Sequence, residues 1–208
     1  MDLRRSRAWI NGLSVAALFV ALLVSNELVS VVLMLLCSLA ALVILYKNLP
    51  KLSDVPADSP KIESLKFVTV FTVVYVVFLV GIAVGAEKLA EAGLVRVLSE
   101  RQMKLVMALL LAVPMAVLGN IAPKLPFNRY TGLRLPWTIR DEETWIVAHR
   151  ILGYVSLPLA FLLFLNVPTK MDLDTYVKIC FLGDLFLWIG IPGILSGVFY
   201  YKKWHHRL

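Results

Sequence analysis

Six apolar runs limit what this chain can fold into. Residues 8–24, 28–46, 67–86, 105–121, 145–165 and 176–201 are each close to the length needed to cross a membrane. A bilayer core of roughly 30 Å takes about 20 residues in helical form. Lipid offers no water to backbone N–H and C=O groups, so such runs cross as helices that satisfy those groups internally. Hydrophobic residues make up 60% of the chain and charged ones 17%, against roughly half and a quarter in soluble domains, which leaves too little polar surface for a water-soluble fold. The expected fold is all-α: a polytopic, multi-pass cell-membrane protein built as a bundle of six transmembrane helices.

The connections between the runs differ in kind. Ser25, Asn26 and Glu27 alone separate the first two, which suits a tight hairpin better than one long kinked helix. Residues 47–66 read as a loop because Pro50, Pro56 and Pro60 interrupt helix and Asp54, Asp58 and the lysines keep it wet. Residues 87–104 mix Leu89, Leu94, Val95 and Leu98 with charges, which fits an interfacial amphipathic helix or a solvated extension of the neighbouring spans. The chain divides into an N-terminal three-helix half, 1–104, and a C-terminal three-helix half, 105–208.

Charge sets the expected orientation. Fourteen Lys and Arg residues flank the spans on one side and five on the other, with Arg150 and Lys178 inside spans. By the positive-inside rule both termini and the 122–144 loop face the cytoplasm. The net charge of +7 is then topology and attraction to the lipid bilayer, not a nucleic-acid footprint. The basic start, Arg4 to Arg7, followed by an apolar run without a small-residue cleavage site reads as an uncleaved signal anchor. Cys37 and Cys180 both fall in spans, as reduced thiols packed like small apolar residues. Neither a disulfide framework nor a metal site is indicated, and no cofactor is expected.

The segment lipid does not explain is 119–153, GNIAPKLPFNRYTGLRLPWTIRDEETWIVAHRILG. Gly119-Asn120 reads as a helix C-cap. Pro123, Pro126 and Pro136 prevent a continuous helix, and Asn128, Arg129 and Gly132 suit turns. Thr138, three residues before Asp141, has capping-box form, so the fifth helix is expected to begin near Ile139, with Asp141, Glu142 and Glu143 in its first turn. Trp137 and Trp145 would anchor that entry at the interface.

On the fifth helix, Glu142, Trp145, His149, Gly153 and Ser156 recur at spacings of 3, 4, 4 and 3 and share one face. This is a polar stripe entering the membrane, where ionisable groups are expensive and usually face protein or a cavity. Arg150 can snorkel to the surface. Asp184 is the one carboxylate well inside a span, about 12 Å deep counted from Tyr176. Ser156 or Tyr154 is its expected partner, and its role is either proton titration and sensing or an interhelical tie. Gly81-xxx-Gly85 and Gly193-xxx-Gly197 suit close helix approach, and Pro114, Pro158 and Pro192 can kink their spans.

The ordered series Gly119-Asn120, Pro123-Lys124, Asn128, Gly132, Arg134, Pro136-Trp137-Thr138, Glu142-Glu143, Trp145, His149-Arg150 and Gly153 resembles the signature of SdpI-type immunity proteins. That pattern reads approximately GN-x-x-PK, N, GIRTPWTL, then an acid, W and TH. Here Leu133 and Leu135 replace Ile and Thr in the GIRTPW block, Ile139 replaces Leu, and Ala148 replaces the Thr before His. Longer members carry an N-terminal module with a His-containing segment; no His precedes position 149 here, so that half is not transferred. The resemblance implies a non-enzymatic membrane protein protecting its cell against a membrane-active toxic peptide. As a second activity it implies the tethering of a cytoplasmic transcriptional regulator.

Two other classes compete. Six spans divided three and three, with broken helices and a midplane carboxylate, suit a small secondary transporter or channel. An intramembrane enzyme would draw on His149, Glu142, Arg134 and Asp184 for acid-base chemistry, but nothing fixes a nucleophile or metal. The sequence leaves the toxin, the regulator and the oligomeric state open.

Overall fold

The computed structural model describes residues 3–53, 55–56, 58–91, 98–128 and 131–205. Among them the chain is all-helical with no strand, as the apolar runs require. Five stretches are long and apolar enough to cross a membrane: Val29–Ser53, Pro60–Ile82, Glu100–Lys124, Glu142–Asn166 and Leu173–His205. A further helix, α1 (Leu3–Leu23), has 21 residues. Large apolar side chains point outward, Leu22 at 80% and Phe186 at 74% exposure. Water would penalise such surface by about 25 cal/mol per Å²; lipid accepts it. The chain is therefore a multi-pass membrane protein. It divides into two compact units, Met1–Arg96 and Val97–Leu208.

The N-terminal unit holds α1, α2 (Glu27–Ser53) and α3 (Pro60–Glu91). The expected hairpin forms: Val29 N–H donates to Asn26 Oδ1 at 3.0 Å, capping α2, and Ser30 Oγ donates across to Val20 O at 3.4 Å. The 47–66 loop narrows to 54–59, because α2 continues through Pro50 and α3 starts on Pro60. Pro50 lies in the last turns of its helix, where little backbone bonding follows it. Pro60 occupies the first helical position, whose N–H has no intrahelical acceptor in any case. Within this unit Gly81 and Gly85 bring no helices together, since a side chain at either would meet nothing within 4 Å among its described residues. Residues 87–91 and 100–104 belong to α3 and α4, so they are extensions of spans; 92–97 lie outside the described residues.

The C-terminal unit is built from α4 (Glu100–Ile121), α5 (Glu142–Asn166) and α6 (Leu173–His205). Ser99 caps α4 in a capping box with Gln102, a signal present in the sequence that places the helix start five residues before the apolar run. α6 opens with one α-turn, Leu173–Thr175, runs as a π-helix over Tyr176–Phe181 and continues as α-helix over Leu182–His205. Ala108, Leu111, Ala112 and Met115 of α4 pack with Leu159, Ala160 and Leu163 of α5 and with Tyr176, Cys180 and Trp188 of α6.

Small residues bring α4 against α5. Gly119 does not cap α4, which runs on to Ile121 and then into a 3-10 turn, Ala122–Lys124. It is buried, and any Cβ there would overlap the Ser156 side chain. One turn away, a Cβ on Gly153 would lie 2.7 Å from Pro123 Cγ and 3.0 Å from Gly119 O. Such contacts let backbones approach, which is where packing energy between membrane helices comes from. At the other end, buried Lys104 donates from Nζ to Thr169 O at 3.2 Å and to Met171 O, fastening the short α5–α6 connection.

Candidate functional site

The described residues of the α4–α5 connector (residues 122–141), which are 122–128 and 131–141, lie over α5 and α6, and the turn expected at Arg129 falls outside them. The connector's first turn is built by Asn128, which is 3% exposed. The Asn128 amide donates to Pro126 O at 2.9 Å and Thr131 O at 3.1 Å, and its Oδ1 accepts from Thr131 N–H at 2.8 Å. A short polar side chain that closes its own loop in this way replaces the backbone pairing that prolines deny. Gly132 follows with φ +113°, a conformation open in practice only to glycine. A Cβ there would lie 2.5 Å from His149 Nε2 and 2.8 Å from the Trp145 ring, so position and backbone angle both demand Gly.

That close approach brings the connector backbone onto α5. Leu133 N–H donates to His149 Nε2 at 3.0 Å. A backbone amide only donates, so Nε2 carries the lone pair and Nδ1 the hydrogen, which goes to Trp145 O at 2.8 Å. Trp145 stacks on the imidazole at 4.0 Å between centroids and receives Phe127 edge-on at 5.7 Å. Its Nε1–H points to Leu125 O at 3.4 Å. Trp145 is fully buried, so it is not the expected interface anchor. It is the floor on which the connector rests.

Residues 133–137 then alternate. Leu133, Leu135 and Trp137 turn inward and are partly buried, while Arg134 and Pro136 are exposed. The inward side chains meet α6 at its small-residue pair: a Cβ on Gly193 would lie 3.3 Å from Leu135 Cδ1, and one on Gly197 would lie 3.4 Å from the Trp137 indole. Trp137 Nε1–H donates to Ser196 Oγ at 3.0 Å, and Ser196 Oγ–H donates to Gly193 O at 3.0 Å. Gly193-xxx-Gly197 thus seats the connector's side chains, not another helix.

Thr138 is fully buried and serves the turn instead of the helix. Its Oγ1 accepts from Leu135 N–H at 2.8 Å and donates to Leu133 O at 2.8 Å. Asp141 is the true N-cap of α5, so the helix begins at Glu142 and not near Ile139. Asp141 Oδ2 accepts from Thr144 N–H at 2.9 Å and Oδ1 from Lys203 Nζ at 2.7 Å. Lys203 also bridges Glu143 at 2.7 Å, tying the end of α6 to the start of α5. Burial opposes ionisation of Asp141, but the Lys203 ammonium and the two Thr144 donors outweigh it and hold the carboxyl below its ordinary range.

The expected site residues therefore separate into two sets. Asn128, Trp137, Thr138, Trp145, His149 and Ser156 are internal to the scaffold, with Trp137 partly accessible, while Gly132 lays exposed backbone against Trp145 and His149. Asn120, Pro123, Lys124, Arg134, Pro136, Glu142 and Arg150 are exposed. Ser156 does not pair with Asp184. Its hydroxyl donates to Leu152 O at 2.5 Å and accepts Trp188 Nε1–H at 2.7 Å, while Tyr154 is 77% exposed. Lys104 and Lys203 look like ordinary span-end residues and Ser196 like a small packing residue between Gly193 and Gly197; only the fold shows what they hold. Among the described residues no three His, Cys, Asp or Glu side chains gather as metal ligands would.

Comparison with known proteins bears on this same stretch.
Residues 124–202 match the model of the SdpI/YfhL protein family.
The match covers the connector, α5 and nearly all of α6, so the SdpI-type resemblance read from the motif residues is borne out there. No curated protein and no solved structure matches the chain. Within the SdpI/YfhL segment, the motif positions fall on the connector and the helix faces that hold it. Arg134, between the inward Leu133 and Leu135, is a motif cation turned outward, as are Lys124 and Arg150.

Proposed function

We propose that this protein is a non-enzymatic immunity protein of the cell membrane, protecting against a membrane-active toxic peptide and able to tether a cytoplasmic regulator through the connector. The supporting observation is the SdpI/YfhL match over residues 124–202 on a connector fastened at both ends yet presenting Arg134 and Pro136 outward. A surface meant only to link two spans needs no such fastening. A recognition surface does, because holding a loop in its binding shape removes the ordering cost at the moment of contact.

On this reading the positive-inside bias puts the connector on the cytoplasmic side, where the exposed Arg134 offers a planar, multidentate donor to a carboxylate of the regulator. The toxic peptide would meet the bundle in lipid. The test is survival of sensitive cells expressing the chain, challenged with membrane-active peptides while membrane potential is recorded. Protection is expected from the wild type. It should be lost in Trp137→Ala at equal membrane abundance, whereas Arg134→Ala should lose regulator capture first. Absence of protection at confirmed expression overturns the immunity reading.

A further inference from the structure

One buried group in the C-terminal unit is left unexplained by the connector. Asp184 is 7% exposed, and its Oδ2 has no hydrogen-bond partner among the described residues. It is the sole buried side-chain polar atom among them in that condition. In a span, such a group carries a cost that packing alone does not recover, which marks it as a candidate for function.

The surroundings narrow the ligand. Asp184 lies three residues past the π-helix Tyr176–Phe181, in the first α-turn after it, and π-helical backbone collects at functional positions because it shifts side chains out of helical register. On that π-turn, Cys180 and Tyr176 are both buried and within electrostatic reach of Asp184. Tyr176 spends its hydroxyl hydrogen on Leu163 O at 3.1 Å. From α4 the nearby cation is Lys104, whose Nζ lies 6.0 Å above the Tyr176 ring and is committed to the carbonyls of Thr169 and Met171. From α5, Ser156 is engaged with Trp188 and Leu152, and His149 has both ring nitrogens occupied by backbone groups. Lys104, Tyr176, Ser156 and His149 are thus committed elsewhere, so no cation and no N–H or O–H donor among these neighbours is free to pair with Oδ2, and the Cys180 thiol offers only a weak S–H. A metal needs more ligands than one carboxyl supplies. The ligand that a lone buried carboxyl can bind is a proton, since the neutral acid is far less costly than an unpaired anion in an apolar setting.

We propose that Asp184 is a proton-binding site in the core of the C-terminal unit, loaded as the carboxylic acid and exchanging its proton with water only when the packing around the π-turn opens. This does not rest on the immunity reading. It decides between the two roles the sequence leaves open for Asp184, proton binding and an interhelical tie, in favour of the first.

The test uses the full chain in lipid nanodiscs and the apolar reagent dicyclohexylcarbodiimide, which modifies carboxylic acids within membranes, with peptide mass spectrometry as the readout. Modification is expected at Asp184 and not at Asp174, an exposed carboxylate ion-paired with Lys178. Asp184→Asn should abolish the adduct. In the wild type, infrared difference spectra between acidic and alkaline buffer should contain a carboxylic-acid carbonyl band that the variant lacks. Asp184 no more reactive than Asp174 in monodisperse wild-type protein overturns the proposal, whether or not the variant folds. A tie would also leave no Asp184-dependent band.

Discussion

Two connections in the C-terminal unit do the same topological job by opposite means. The α5–α6 link, 167–172, is short and is fastened from below by one buried cation, Lys104. The α4–α5 connector is more than three times as long and is fastened at many points: Asn128, Gly132, Leu133, Trp137, Thr138 and Asp141 each hold a separate stretch. Loop length alone costs little closure entropy, about 0.6 kcal/mol per doubling. The extra fastening is therefore not needed to join the helices. It fixes a shape, and the SdpI/YfhL match runs from Lys124 through both connections, while half of the motif residues lie on the longer connection and none on the shorter.

The comparison can be broken most severely at Gly132. A side chain there meets His149 and Trp145 and must adopt a positive φ, so Gly132→Val should destabilise the unit by about 3 kcal/mol or more, read as a fall in Tm of purified protein in detergent. Lys104→Met comes next. It leaves two carbonyls without their buried donor and should cost about 2 kcal/mol, with amide exchange accelerating at 167–172 but not in the connector. Trp137→Phe removes the bond to Ser196 together with the indole edge that packs on Gly197. A loss of about 1–2 kcal/mol is expected, and the same change in a Ser196→Ala background should cost less because the bond is already gone.

The smallest effect is a pH dependence. The Asp141 carboxyl titrates lower in the folded chain than in the unfolded one, so its contribution is present above the ordinary carboxylate range and lost as pH falls through the depressed value. Acid unfolding monitored by circular dichroism should thus shift to higher pH in Lys203→Met. A wild-type acid limb that the Lys203 change leaves unaltered would remove this fastening from the comparison.

The helices were legible because lipid imposes a simple rule on apolar length, and errors collected where that rule stops. Pro50 and Pro60 look like breaks, yet a proline in the last turns or at the first position of a helix costs little, so α2 and α3 extend past the apolar runs. Gly119-Asn120 has cap composition, but nothing local says that Ser156 will lie against that glycine. Trp145 has the sequence context of an interface anchor; its burial follows from Gly132, which is far off in sequence and reaches it only after the connector folds back. The identity of the motif residues was readable, and their division into inward and outward sets along 133–137 follows period two, the alternation of extended backbone and not the period of the flanking helices. Lys203 looks like one more basic residue at a span end, because its two carboxylate partners lie more than one helix away in sequence.

The bond from Leu133 N–H to His149 has a chemical consequence. An imidazole with one nitrogen giving to a carbonyl and the other taking from an amide has no electron pair left to offer, so His149 should resist diethyl pyrocarbonate while the connector stays down. Peeling back residues 132–133 would bare a reactive base in a single movement, making carbethoxylation of this one ring a gauge of whether the strap is closed.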